Sequence, residues 1–137
     1  MKNSRRLGRV LAVQSLYPQR INLKGPSMNL KNLIQGENYG KEAVDFAKIL
    51  VELVQKHLPE VDTLIKSVLE NWEWERLCAL DKAILGIAVT EFLYLPEIPP
   101  KVVINEAIEI AKEYSTEKSG KFVNGILDSI AKKKGIL

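Results

Sequence analysis

Lys2, Arg6 and Arg9 recur at i, i+4 and i+7, with Arg5 beside them, a spacing that lines cations along one face of a helix. The first acid in the chain is Glu37, so no sequence neighbour neutralises them. Cations in the first turn of a helix oppose its macrodipole, at a cost of about 0.3–1 kcal/mol each when unpaired. An ordinary solvated face mixes both signs of charge. An all-basic one fits the phosphate backbone of a nucleic acid better. A second group lies near the other end of the chain. Lys118 and Lys121 flank Ser119-Gly120 just ahead of Phe122, close to the start of the last helix. Free N–H groups at a helix start hold anions, and an aromatic ring there can stack on an unpaired base. Phe122 also fits the apolar stripe of that helix, and core packing is the commoner use of such a position. The run Lys132-Lys133-Lys134 complements a helix C-terminus.

No catalytic chemistry emerges from the remaining candidates. The run Gly120–Gly125 has no Lys-Ser/Thr after its second glycine and is not a nucleotide phosphate loop. His57 is the only histidine and has no cysteine near it, so no metal site is expected. Cys78 has no base close in sequence and reads as a small helix residue. Glu106, Glu109 and Glu113 share a helical face without an acid/base pair or a metal-ligand spacing. The expectation is a binding protein without a catalytic residue, cofactor or metal.

The 137 residues are 46% apolar and 27% charged, with a net charge of +3. Such a chain suits one domain, or two closely packed halves, burying roughly 70% of its unfolded surface. No apolar run approaches the ~20 residues of a membrane span, and the charged N-terminus lacks the apolar core of a secretory signal. One cysteine forms no internal disulfide framework, which points to a reducing cytoplasm. The net charge conceals an asymmetry. Residues 1–36 hold seven basic side chains and no acid, whereas residues 37–137 hold 13 basic side chains against 17 acids. A basic arm on an acidic body points toward a polyanion partner.

Helical periodicity runs through almost all of the chain. Leu7, Val10, Leu11 and Leu16/Tyr17 form a stripe over 4–17, with Pro18 as its stop. A short helix is expected around 28–35. Val44, Ala47, Val51 and Val54 mark a helix over 41–57, and Pro59 opens another that carries Val61, Leu64/Ile65, Val68/Leu69 and Trp72 inward. Helices follow over 77–95, from Pro99-Pro100 to Tyr114, and from a Thr116 N-cap to Gly135. The fold class is therefore all-α, with about seven helices in two small packed bundles, about 1–71 and about 72–137. Near their seam, Trp72 and Trp74 stand among Glu73, Glu75 and Asp81, where a basic protein could dock. Core packing by Trp72 with solvated acids around it is an equal alternative.

Several motifs occur in a distinctive order: Arg6-x-x-Arg9-x-x-Ala12-x-Gln14-x-Leu16-Tyr17, Trp72 with Glu75-Arg76-Leu77, and Asp81-Lys82-Ala83-Ile84-Leu85. Ile98-Pro99-x-x-Val102-x-Ile104-Asn105-Glu106-Ala107-Ile108-Glu109-x-Ala111-Lys112 and Ser119-Gly120-Lys121-Phe122-Val123-Asn124-Gly125-Ile126-Leu127 complete the set. Across essentially its whole length the chain resembles the bacterial NusB transcription antitermination family. That resemblance implies an all-helical pair of bundles that binds single-stranded boxA RNA of nascent ribosomal RNA transcripts together with the ribosomal protein NusE. The pair would load onto the RNA polymerase antitermination complex. It places RNA at Arg6 and Arg9, with Lys2 and Arg5 as neighbours, and at Lys118, Lys121 and Phe122. It places NusE at Tyr17, Glu75 and Asp81.

The chain departs from the family pattern at Gly86, where arginine is usual, at Ser115, where glycine is frequent, and at Lys118, where an acid or asparagine is common. Two other classes stay open. One is a protein–protein or self-association module without RNA. The other is the RNA-recruiting domain of a ribosomal RNA methyltransferase, which would require a catalytic domain beyond these 137 residues. Monomer and homodimer are both compatible with the sequence.

Overall fold

The computed structural model describes residues 3–17, 25–70 and 73–137. Lys2, Pro18, Arg20, Lys24 and Trp72, with the roles the sequence assigns them, lie outside the described residues. The elements are α1 (Asn3–Leu16), α2 (Pro26–Ile34), α3 (Lys41–Ser67), α4 (Ala79–Tyr94), α5 (Pro100–Tyr114) and α6 (Glu117–Lys133), with one 3₁₀ turn at Trp74–Arg76. No strand occurs among the described residues.

Six α-helical spans occur among the described residues, and the two helices expected around Pro59 are the two arms of α3, joined across a kink. Proline lacks an N–H and crowds the carbonyl four residues before it. The backbone accordingly leaves helical geometry at His57 (φ −114°, ψ 19°) and then resumes. Buried Val54 before the kink, and Val61 and Ile65 after it, hold both arms on one core. His57 stacks on Tyr94 with ring centroids 3.8 Å apart, and the Tyr94 hydroxyl donates to Glu60.

The end signals work as their chemistry dictates. Pro99 and Pro100 stand at the N-cap and first position of α5. Thr116 Oγ1 caps α6 by accepting the Ser119 N–H at 2.9 Å. Gly135, at φ +70°, lies just past the α6 C-terminus. Cys78 is not inside a helix. It is the N-cap of α4, its Sγ accepting the Asp81 N–H at 3.5 Å.

Helix α1 packs on α2 and α3, α5 packs on α6, and α4 touches α1, α3, α5 and α6. Eleven of the 16 residues of α4 are buried, which makes it the central helix. Gly8 sets the approach of α1 to α3: a Cβ there would lie 2.9 Å from the Ala43 carbonyl oxygen and 3.0 Å from Phe46. The α1 stripe is carried by Val10, Leu11, Ala12, Val13 and Leu16, all buried. Tyr17, expected to share that stripe, is 38% exposed, since Leu16 already fills the core position.

Candidate nucleic-acid interface

The basic face of α1 is not a uniform cationic surface. Arg9 points inward and is 3% exposed. Its Nε donates to Glu91 Oε2 at 2.9 Å and its Nη2 to Glu91 Oε1 at 2.7 Å, a bidentate pair in which Glu91 is 1% exposed. Arg9 Nη1 also lies 3.6 Å from Glu106 Oε1. Such a fork is geometrically specific, and removing one partner from a buried pair leaves an uncompensated charge. Arg9, expected to meet RNA, is thus occupied as an interior tie between α1 and α4. Burial raises the Glu91 carboxyl above its ordinary value, against the opposing pull of the Arg9 guanidinium.

Arg6 is partly exposed. Its Nε and Nη2 donate to Glu106 Oε1 and Oε2 at 2.8 and 2.7 Å. The hydrogen bonds from Arg6 hold the Glu106 carboxyl below its ordinary value, and desolvation opposes them. Arg5 is exposed, its guanidinium carbon 5.0 Å from the centroid of the Phe46 ring, a cation–π contact that leaves the charge at the surface. Arg5 and Arg6 therefore remain the outward cations of α1 among the described residues.

The start of α6 differs. Lys118 and Lys121 are exposed in its first turns, and among the described residues neither pairs with a carboxylate. Phe122 is half-buried: it packs against the core and also lines an open hollow of about 230 Å³ with Lys118, Ser119, Arg76 and Asp81. Both sequence roles of Phe122, core and surface, are thus compatible with its position.

The three NusE candidates fall on separate elements. Tyr17 is exposed just beyond α1, and Glu75 is exposed on the 3₁₀ turn. Asp81, in contrast, is only 8% exposed at the first turn of α4. Its Oδ2 accepts the Ser119 hydroxyl at 3.2 Å, which ties α4 to α6 between Lys118 and Lys121. Burial raises the Asp81 carboxyl, and hydrogen bonds from Cys78 and Ser119 lower it. Only Oδ2 takes part in that interhelix bond; Oδ1 is buried and accepts no hydrogen bond among the described residues, at the edge of the hollow beside Phe122. Cys78 is exposed, and partial desolvation of its thiol raises it, which disfavours the thiolate a nucleophile requires. The Trp74 ring has Lys82 4.5 Å and Lys66 5.2 Å from its centroid, so lysines rather than acids sit over it.

Sequence reasoning missed Glu91 and Glu106 as partners of the arginines. A signal for Glu91 existed, since it is a lone acid just after the apolar run Ile84–Val89 in the central helix. Among the described residues no cluster of His, Cys, Asp and Glu could hold a metal ion, and no helix is long and apolar enough to cross a membrane.

The NusB family model matches residues 6–132. The chain is 44% identical to the transcription antitermination protein NusB of Chloroherpeton thalassium and 45% identical to that of Methylacidiphilum infernorum. These alignments cover 98% and 96% of this chain, which spans 65% of the first relative's length and 93% of the second's. Among solved structures, NusB of T. maritima superposes with a TM-score of 0.85 at 40% identity, covering 93% of this chain and 90% of that one. A crystal structure of NusB and NusE in complex with double-stranded RNA superposes at 0.88 with 30% identity, covering 97% and 99%.

Proposed function

Because the chain belongs to the NusB family, we propose that it acts as a non-catalytic transcription antitermination factor that binds boxA RNA jointly with NusE. The exposed lysines beside Phe122 at the start of α6, without a carboxylate partner among the described residues, carry the RNA part of this reading. The RNA backbone meets Lys118 and Lys121, one base stacks against Phe122, and Arg5 and Arg6 extend the cationic track from α1. Phosphate contacts set position, and base contacts set choice. The N-terminal bundle, about 1–71, supplies the arginines and Tyr17. The C-terminal bundle, about 72–137, supplies the lysines, Phe122 and Glu75. NusE docks through exposed Tyr17 and Glu75, and the assembly acts in the cytoplasm on elongating RNA polymerase. Arg9 and Asp81 serve by holding helices α1, α4 and α6 in place.

Gel filtration of the chain with NusE and a short boxA RNA tests the reading, with single-stranded, double-stranded and scrambled RNA in separate arms. A ternary complex on single-stranded boxA is expected, weakened for NusE by Tyr17→Ala with Glu75→Lys. Failure of the wild type to bind NusE and every RNA arm refutes it. Preference for the double-stranded arm refutes the single-strand assignment.

A further inference from the structure

The acidic residues of α5 have no counterpart in a simple cationic RNA surface. Glu106, Glu109 and Glu113 are spaced so as to share a face of α5, and all three act electrostatically on the Arg6 guanidinium. One of them does more. Glu106 takes both hydrogen bonds of the Arg6 Nε/Nη2 edge, at 2.8 and 2.7 Å. That edge is the one an arginine uses to grip two oxygens of a phosphate in bidentate fashion. A guanidinium already neutralised by a carboxylate contributes little counterion release when a polyanion approaches. Arg6 nevertheless stays partly open, with its side chain 41% exposed against 20% for Glu106, so the pair lies where a phosphate can reach it. Glu109 is different, being 52% exposed and paired with Lys112 at 3.8 Å.

We propose that Glu106 is a specificity-determining residue of the RNA site: it occupies the phosphate-gripping edge of Arg6 and yields it only to an RNA already seated by other contacts. The proposal rests on the reading of Arg6 as an RNA-facing residue. An arbitrary polyanion meets a cancelled charge at α1 and gains little there. An RNA anchored at Lys118, Lys121 and Phe122 holds its phosphate beside Arg6 long enough to displace the carboxylate. The fork thus lowers non-specific affinity more than specific affinity.

Fluorescence anisotropy with single-stranded boxA RNA and a scrambled RNA of equal length, across a salt series, tests this. Glu106→Gln is expected to tighten scrambled RNA about fivefold at 0.1 M salt and steepen its salt slope by about 0.7, one additional contact on a single strand. The ratio of boxA to scrambled affinity then narrows. Glu109→Gln removes an equal charge from the same helix face but leaves the Arg6 edge occupied, and is expected to move the slope less than Glu106→Gln does. In an Arg6→Ala background, Glu106→Gln is expected to change nothing. Glu106→Asp, which keeps the charge but shortens the reach, is expected to move the slope part of the way and guards against a folding defect in the glutamine variant. An unchanged slope in both Glu106 variants, equal effects of Glu106→Gln and Glu109→Gln, or persistence of the effect without Arg6 overturns the proposal. If the wild type binds neither RNA, the RNA reading itself falls. If it binds boxA and only the Glu106 variants fail to respond, the Glu106 assignment alone falls.

Discussion

The first turns of α1 and α6 both carry basic side chains, yet the two regions use them differently. In α1, Arg6 and Arg9 meet Glu106 and Glu91, which stand 100 and 82 residues away in the chain. In α6, Lys118 and Lys121 are exposed, and among the described residues neither has an ion-pair partner. One basic cluster has become partly architecture, and the other remains surface. The difference teaches that a cationic face defined by local spacing is only a list of candidates. Whether a given arginine is available to a ligand is decided by acids that the fold brings to it.

The contrast can be broken most sharply at Arg9. Arg9→Ala leaves Glu91 buried without its partner and is expected to cost about 3–5 kcal/mol of stability by denaturant unfolding. A loss below 1 kcal/mol would return Arg9 to the surface group. Gly8→Ala tests how closely α1 must seat for that pair to form. The new methyl would press on the Ala43 backbone carbonyl, which cannot swing aside, and a loss of about 1–3 kcal/mol is expected. Gly86→Ala reverses the sign. No atom lies within 4 Å of a Cβ built there, so the helix gains about 0.5–1 kcal/mol, read as a higher unfolding temperature. Opposite signs at two helical glycines would confirm that close approach belongs to α1 and not to α4.

Acid titration addresses Arg6–Glu106. The folded Glu106 carboxyl holds its proton less tightly than the unfolded one, whose ordinary value is 4.5. Its stabilisation is therefore complete above that value and is lost as pH falls through the depressed folded value. The stability difference between wild type and Glu106→Gln is expected to be constant near neutrality and to shrink below pH 4.5, by a small amount because Arg6 is partly solvated. Equal pH profiles for the two proteins would show that the fork does not hold in solution.

Much of the helical order was legible because its signals are local. Apolar spacing marks the buried faces, and Pro99-Pro100, Thr116 and Gly135 mark ends through their own backbone and side-chain chemistry. Pro59 was legible too: helical geometry breaks at His57, the second arm of α3 starts around the proline, and Val54, Val61 and Ile65 pack both arms on the shared core. At Leu16/Tyr17 periodicity could not say which of two adjacent apolar residues wins the core, and Leu16 does. The candidate site was legible as to charge but not as to partner. Glu91 shows in the sequence as a lone acid after an apolar run, but nothing there names Arg9 as its partner, and nothing near Asp81 announces Ser119. Those contacts exist only once α4 is buried between its neighbours.

The most direct measurement is the salt dependence of single-stranded boxA binding for Lys118→Ala with Lys121→Ala, compared with the wild type. Loss of two contacts is expected to flatten the slope by about 1.4 while the unfolding temperature holds. An unchanged slope in a folded double variant would contradict the assignment of the RNA surface to the start of α6.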